Sequence, residues 1–188
     1  MSVYFSKFPN TTHTGLLVKD ITRRANLANS VLTNKYAYLP YLIQDDLKPE
    51  DVADYYYGGV NYTWLVYYST GMTDPYYDWP LSYNQFNKYL ISKYSDQANT
   101  TGNDVITWAM NDLITDNIIH YENSDGDIIN QESYTLNPNL VADDWTAIRV
   151  YDYEVTLNDN KRAINLLEKS YARRAEEELK DLLNAGII

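Results

Sequence analysis

Residues 46–73 carry the clearest periodicity in the chain. Pro49 suits the first turn of a helix, Glu50 and Asp51 follow at its positive end, and Val52, Ala53 and Tyr56 form an apolar stripe. Gly58-Gly59 ends that helix, where a left-handed residue is usual. A second helix starts at Asn61 or Thr63, turns Trp64, Leu65 and Tyr68 inward, and stops at Gly71. Two short helices joined by a glycine turn predict a helical hairpin. After an aromatic turn, Ser82 and Gln85 read as a capping box for a third helix through Phe86, Tyr89, Leu90 and Tyr94.

The flanking stretches read differently. Residues 1–45 form an arm: an extended aromatic piece at Tyr4, Phe5 and Phe8, a strand over Leu16–Val18, and a short helix capped by Asp20 and running through Arg23, Arg24, Leu27 and Val31. Tyr36–Ile43, interrupted by Pro40, suits an edge strand. Residues 95–104 read as a polar linker and 105–157 as β, with a hairpin whose tip is Asn123–Asp127. Ile148 and Val150 share one face while Tyr151, Tyr153, Val155 and Leu157 share the other, which predicts a bulge near Val150. From Asn158 to about Asn184 the spacing of Ile164, Leu167, Tyr171, Ala175, Leu179 and Leu182 or Leu183 predicts one long helix. Its length, roughly 40 Å, exceeds what one small core needs, so part of the stripe is expected to face another chain.

Composition narrows the function. The 188 residues fit one ordinary domain, or a small domain with long arms, and 45% apolar content supports a buried core. Fifteen basic against 26 acidic residues give a net charge of −11, which argues against nucleic acid or an anionic membrane as partner. With no Cys and 2 His, thiol chemistry and a His-rich metal centre are excluded, and Ser–His chemistry has little material. The first residues show no signal-peptide pattern, and no apolar run is long enough to span a bilayer. The 20 tyrosines offer large rigid contact areas with polar tips, as extensive interfaces use.

Several clusters invite a chemical reading, and each has a plainer one. Tyr55-Tyr56-Tyr57 could form a sugar platform, or pack the hairpin. Asp74 and Asp78 could be an acid and a nucleophile, or could open a turn by accepting backbone N–H groups, with Trp79 as a core or interface anchor. Asn123, Asp125 and Asp127 have calcium-loop spacing, but Ile128 and Tyr134 occupy the positions that need Gly and Glu, so the segment is a hairpin tip. His13 and His120 read as ordinary polar or strand residues. Arg173 and Arg174 followed by Glu176–Glu178 make helix-surface pairs.

Two segments carry a resemblance. Leu47–Tyr68, with its Tyr56-Tyr57-Gly58 turn and Trp64-Leu65-Val66, resembles a LysM-like helical hairpin of the form found in phage tail proteins. Asp74-Pro75-Tyr76-Tyr77-Asp78-Trp79 directly after it, and Asn158-Asp159-Asn160-Lys161-Arg162-Ala163-Ile164 leading to the last helix, resemble the baseplate wedge subunit of T-even-type contractile-tailed bacteriophages, the product of gene fifty-three. Asp159 stands where that family usually has Glu. The resemblance covers 47–94 and 150–185 best.

It implies an α+β protein with a small LysM-like helical-hairpin domain, an extended N-terminal arm, a β-hairpin-containing middle region and a long C-terminal helix. The expected division is 1–45, 46–94, 95–157 and 158–188. It implies a non-enzymatic structural component of the tail baseplate, made in the host cytoplasm, without cofactor. This component would bind other wedge subunits and help join neighbouring wedges into a ring near the tail tube. The expected anchors, internal or at interfaces, are Tyr56, Tyr57, Gly58, Trp64, Asp74, Pro75, Tyr76, Tyr77, Trp79, Arg162 and Ile164. The alternative is a peptidoglycan-binding or wall-degrading tail protein, for which the LysM-like hairpin would be the glycan site.

Overall fold

The computed structural model describes residues 3–22, 34–137, 140 and 144–185. In chain order its elements are α1 (Val3–Ser6), β1 (Asn10–His13), β2 (Leu16–Lys19), β3 (Tyr38–Leu42), α2 (Pro49–Tyr57), α3 (Thr63–Thr70), α4 (Tyr83–Ala98) and α5 (Asn103–Met110). There follow β4 (Ile118–Glu122), β5 (Ile128–Ile129), α6 (Gln131–Leu136), β6 (Thr146–Arg149), α7 (Val150–Asn160), β7 (Ala163–Leu167) and α8 (Ala172–Ala185). The fold is mixed α+β with small sheets and a C-terminal helix, in the class the sequence predicts. The expected helix at Arg23–Val31 lies outside the described residues.

The chain divides into two compact units, Met1–Trp79 with Arg162–Ile188, and Pro80–Lys161. The second is thus a continuous insertion into the first. In the first unit β3 pairs antiparallel with β7, Tyr38 opposite Leu167 and Leu42 opposite Ala163. The helical hairpin α2–α3 packs on these strands. Lys48 and Asp51 close the α2 N-terminus, and Gly58 and Gly71 end the two helices at φ +82° and +69°, where a side chain would be strained. Bonded pairs Ala37·Glu168 and Ile43·Arg162 flank the ladder. By alternation Pro40 falls at an unbonded position, so its missing N–H costs the sheet nothing. The opposite edge of β7 is closed by side chains: Tyr57 donates its hydroxyl to the Leu167 carbonyl at 2.8 Å, and Ser69 Oγ accepts the Leu167 N–H at 3.2 Å.

Two clusters fill this unit. Val52, Ala53, Val66, Trp79, Ile164 and Leu166 pack between the hairpin and the sheet. Phe8, Trp64, Leu65, Leu167, Ala175, Leu179 and Leu183 bring the N-terminal turn against α3 and α8. This corrects three expectations. Tyr4 and Phe5 lie in a helical turn rather than an extended piece. The long helix does not begin at Asn158, because residues 163–167 form β7 and the helix proper starts at Ala172. Of its apolar stripe, expected in part to face another chain, Ala175, Leu179 and Leu183 are buried against their own chain, and Tyr171 is exposed.

In the second unit α4, α5 and α7 enclose Phe86, Leu90, Tyr94, Val105, Ala109 and Val150. The strand order is β5–β4–β6, and the β4–β5 hairpin turns where expected. Asn123 Oδ1 accepts the amides of Asp125 and Asp127 at 3.0 and 2.8 Å, so the tip is stapled by its own side chain. Residues 95–98 continue α4, and 103–110 is helical rather than β. The parity change near Val150 is a strand-to-helix junction, not a bulge; the irregular register lies instead between Ile118 and His120 of β4. Arg149, at that junction, donates to Asp112 Oδ1, the carbonyls of Asp112 and Ile114, and Asn117 Oδ1 at 2.7–2.8 Å. Asn117, fully buried, in turn donates to the carbonyls of Trp108 and Asn111 at 2.8 Å, closing the C-terminus of α5.

Candidate interaction surface

The loop after α3 is rigid by construction. Asp74 Oδ1 accepts the amides of Tyr76 and Tyr77 at 2.8 and 3.2 Å. Asp78 Oδ2 accepts those of Thr73 and Asp74, both at 3.0 Å, and the Asp78 amide donates to the Asp74 carbonyl at 2.9 Å. Pro75 fixes φ within this turn. Both carboxylates therefore accept backbone amides, as turn chemistry requires. Trp79 closes the loop: its ring is buried among Val52, Val66 and Ile164, and its Nε1 donates to the Leu47 carbonyl at 2.8 Å.

Tyr76 and Tyr77 point the other way, 82% and 73% exposed. Hydrophobic burial drives Trp79 inward and holds the loop; the two tyrosines are presented on it. On α2, Tyr55 is exposed while its neighbours turn in. Tyr56 meets Tyr41 and Tyr57 edge-on at 5.9 and 4.8 Å between ring centroids. Burial pushes the hydroxyls of Tyr56 and Tyr57 up from their ordinary range.

Of the remaining expected anchors, Trp64 is buried beside Phe8, and Ile164 sits in the core of β7. Arg162 joins the turn after β3 to the start of β7: Nη2 meets Asp45 Oδ1 at 2.9 Å, and its carbonyl accepts from Ile43. Trp64, Trp79, Ile164 and Arg162 thus lie within the first unit's framework, whereas Pro75, Tyr76 and Tyr77 lie on its surface. Sequence reasoning missed Lys7, whose buried ammonium pairs with Glu176 at 2.9 Å and lies 5.2 Å from the Trp64 ring centroid. No periodic pattern marks a lysine that faces inward.

Among the described residues no group of three or more His, Asp or Glu side chains is placed to hold a metal ion, and no helix is long and apolar enough to cross a membrane. A family model described as base plate wedge protein 53 matches residues 2–179. The chain belongs to this family. The match runs over both compact units. A base plate wedge protein is a structural component of the phage tail, and its contacts are with other baseplate components. No curated protein matches the chain.

Proposed function

We propose that this chain binds other wedge subunits and helps join neighbouring wedges into the ring around the tail tube, without catalysis, after synthesis in the host cytoplasm. The observation that carries this reading is the Asp74–Trp79 loop, whose inner residues are fully engaged and whose two tyrosines stand outward on a stiff frame. Rigid aromatics cost little entropy to order on association and are enriched among interface hot spots.

The helical hairpin with its glycine turn supports the LysM-like reading of the first unit. It does not favour a glycan role, because of the three adjacent tyrosines only Tyr55 is exposed. Replacing Tyr76 and Tyr77 together by Ala should leave the free chain folded and abolish its recovery in assembled baseplates. If the double variant assembles normally but loses binding to purified peptidoglycan fragments, the loop is a glycan site and the wedge-joining reading fails.

A further inference from the structure

The β1–β2 ribbon is exposed at every position of both strands. Its turn, Thr14-Gly15, has φ of 50° and 82°, the left-handed pair of a two-residue hairpin. The register sets Thr11 opposite Val18 and Thr12 opposite Leu17. The ribbon is therefore divided by edge rather than by face. β1 is polar (Asn10, Thr11, Thr12, His13), and β2 is apolar (Leu16, Leu17, Val18). Leu16 and Leu17, on opposite faces, are 67% and 73% exposed.

The hydrogen bonds show which groups the free edge offers. Asp20 donates to the Pro9 carbonyl at 2.9 Å, so by alternation Val18 and Leu16 bond to β1 while Leu17 aims its N–H and C=O outward and Lys19 its N–H, the Lys19 carbonyl accepting the Ile21 amide at 3.1 Å. Edge strands are commonly protected by Pro, by a charge or by a cover. The core sheet has such devices: Pro40 on the open edge of β3, Tyr57 and Ser69 over β7. The β2 edge has none among the described residues. Its single charge, Lys19, folds back to the carbonyls of Ser6 and Phe8 at 3.2 and 2.7 Å, away from a gatekeeping position.

We infer that the outer edge of β2 is a strand-addition site, filled in the assembled baseplate by an extended apolar segment of another baseplate subunit. Added alongside Leu17, such a strand takes up the outward backbone groups and covers Leu16 and Leu17 on both faces at once. A second copy of this chain is the poorer occupant. Four residues of edge bury far less than the ~1,600 Å² of a stable two-chain interface, so the added strand must be held by further contacts of a multi-subunit assembly. This inference rests on the baseplate reading above.

The test is competitive incorporation. Equal amounts of wild-type and variant full-length chain are offered to an assembly extract lacking this protein, and their ratio in purified baseplates is read by mass spectrometry. Leu17→Pro removes the outward N–H without breaking a β1–β2 bond; Thr12→Pro does the same on the polar edge and controls for damage to the ribbon. Leu17→Pro should be depleted about tenfold, through loss of one backbone hydrogen bond and of the covered Leu17 side chain, with Thr12→Pro within about twofold of wild type. Equal incorporation of Leu17→Pro, or equal depletion of both variants, would overturn the inference. So would a concentration-dependent dimer of the free chain that Leu17→Pro abolishes. Failure of the wild type itself to enter baseplates would instead sink the baseplate reading.

Discussion

The side-chain amide of Asn158 forms a two-bond pair with the backbone of Leu81: the Leu81 N–H donates to Oδ1 at 2.7 Å, and Nδ2 donates to the Leu81 carbonyl at 3.0 Å. A carboxamide thus takes the place of a strand neighbour for the segment that leads into α4. It fastens the two ends of the inserted unit, 77 residues apart. Asn158→Leu keeps the volume but leaves both Leu81 groups without this partner, and should cost about 2–3 kcal/mol. Asn158→Asp keeps the acceptor but sets a buried carboxylate oxygen against the Leu81 carbonyl, and should cost at least as much at neutral pH. Urea denaturation of both variants checks the order; equal stability of Asn158→Leu and wild type would show the pair to be dispensable.

The aromatic residues of the hairpin and its loop should separate cleanly. Trp64→Ala and Trp79→Ala each empty a buried site, and Trp79 also loses its bond to Leu47, so each should destabilise by roughly 3–5 kcal/mol. Tyr76→Ala alone should change stability by less than ~0.5 kcal/mol. Thermal melts of the three variants measure this, and a large effect at Tyr76 would place it in the framework rather than on a presented surface.

Glu154 sets a pH limit on the inserted unit. It is 3% exposed and accepts from Lys93 Nζ at 2.7 Å, Tyr94 Oη at 2.6 Å and Tyr89 Oη at 3.1 Å. Burial pushes its carboxyl up, but the bonds from Lys93, Tyr94 and Tyr89 outweigh burial and hold it below the ordinary range. A carboxyl lowered in the folded state contributes stability that is present above its unfolded value and lost as pH falls through the folded one. Stability should therefore decline below about pH 4.5. The Tyr94 phenol, pushed up to about 12 by burial and then by Glu154, gives the opposite limb: its contribution is complete below pH 10 and is lost as pH rises to 12. Glu154→Gln should cost roughly 1–3 kcal/mol at neutral pH, with the half-exposed Lys93 screened by solvent, and should flatten the acid limb. An acid limb as steep as that of wild type would assign the loss to other carboxyls.

The local signals in the sequence were legible, and the long-range ones were not. Pro49, Gly58, Gly71 and the Ser82–Gln85 box mark helix ends by chemistry confined to one turn, and α2, α3 and α4 begin or end where these residues stand. β7 was hidden because Ile164 and Leu167 fit a helical stripe as well as a strand, and its partner β3 lies more than 100 residues earlier. α7 was hidden for another reason. Its buried face is Val150, Glu154 and Asn158, so two of its inward positions are polar and the remaining tyrosines and valine alternate like a strand. At the candidate surface the sequence indicated the Asp74–Trp79 segment but not its division into inward Trp79 and outward tyrosines. That division depends on the cavity formed by Val52, Val66 and Ile164, to which distant segments contribute.

The N-terminal turn and the last helix should behave as one element in the free chain. Phe8 is buried against Trp64, Ala175, Leu179 and Leu183, and next to it Lys7 reaches Glu176 beneath the same surface. The hydrogen bond from Lys7 holds the Glu176 carboxyl below its ordinary range, although Glu176 keeps some solvent contact and also pairs with Lys180 at 3.4 Å. The ion pair is therefore the smaller contribution, and apolar packing the larger. Phe8→Ala should cost roughly 3–5 kcal/mol and accelerate amide exchange throughout 172–185. Lys7→Met, which keeps the stem on Trp64 but removes the charge, leaves Glu176 to Lys180 and solvent and should cost about 1–3 kcal/mol. In wild type the amides of 172–185 should exchange slowly without any partner present, whereas the outward amide of Leu17 should exchange fast. Rapid exchange along α8 in the isolated chain would mean that its apolar stripe closes only on assembly, and that the contact with Phe8 does not hold in solution.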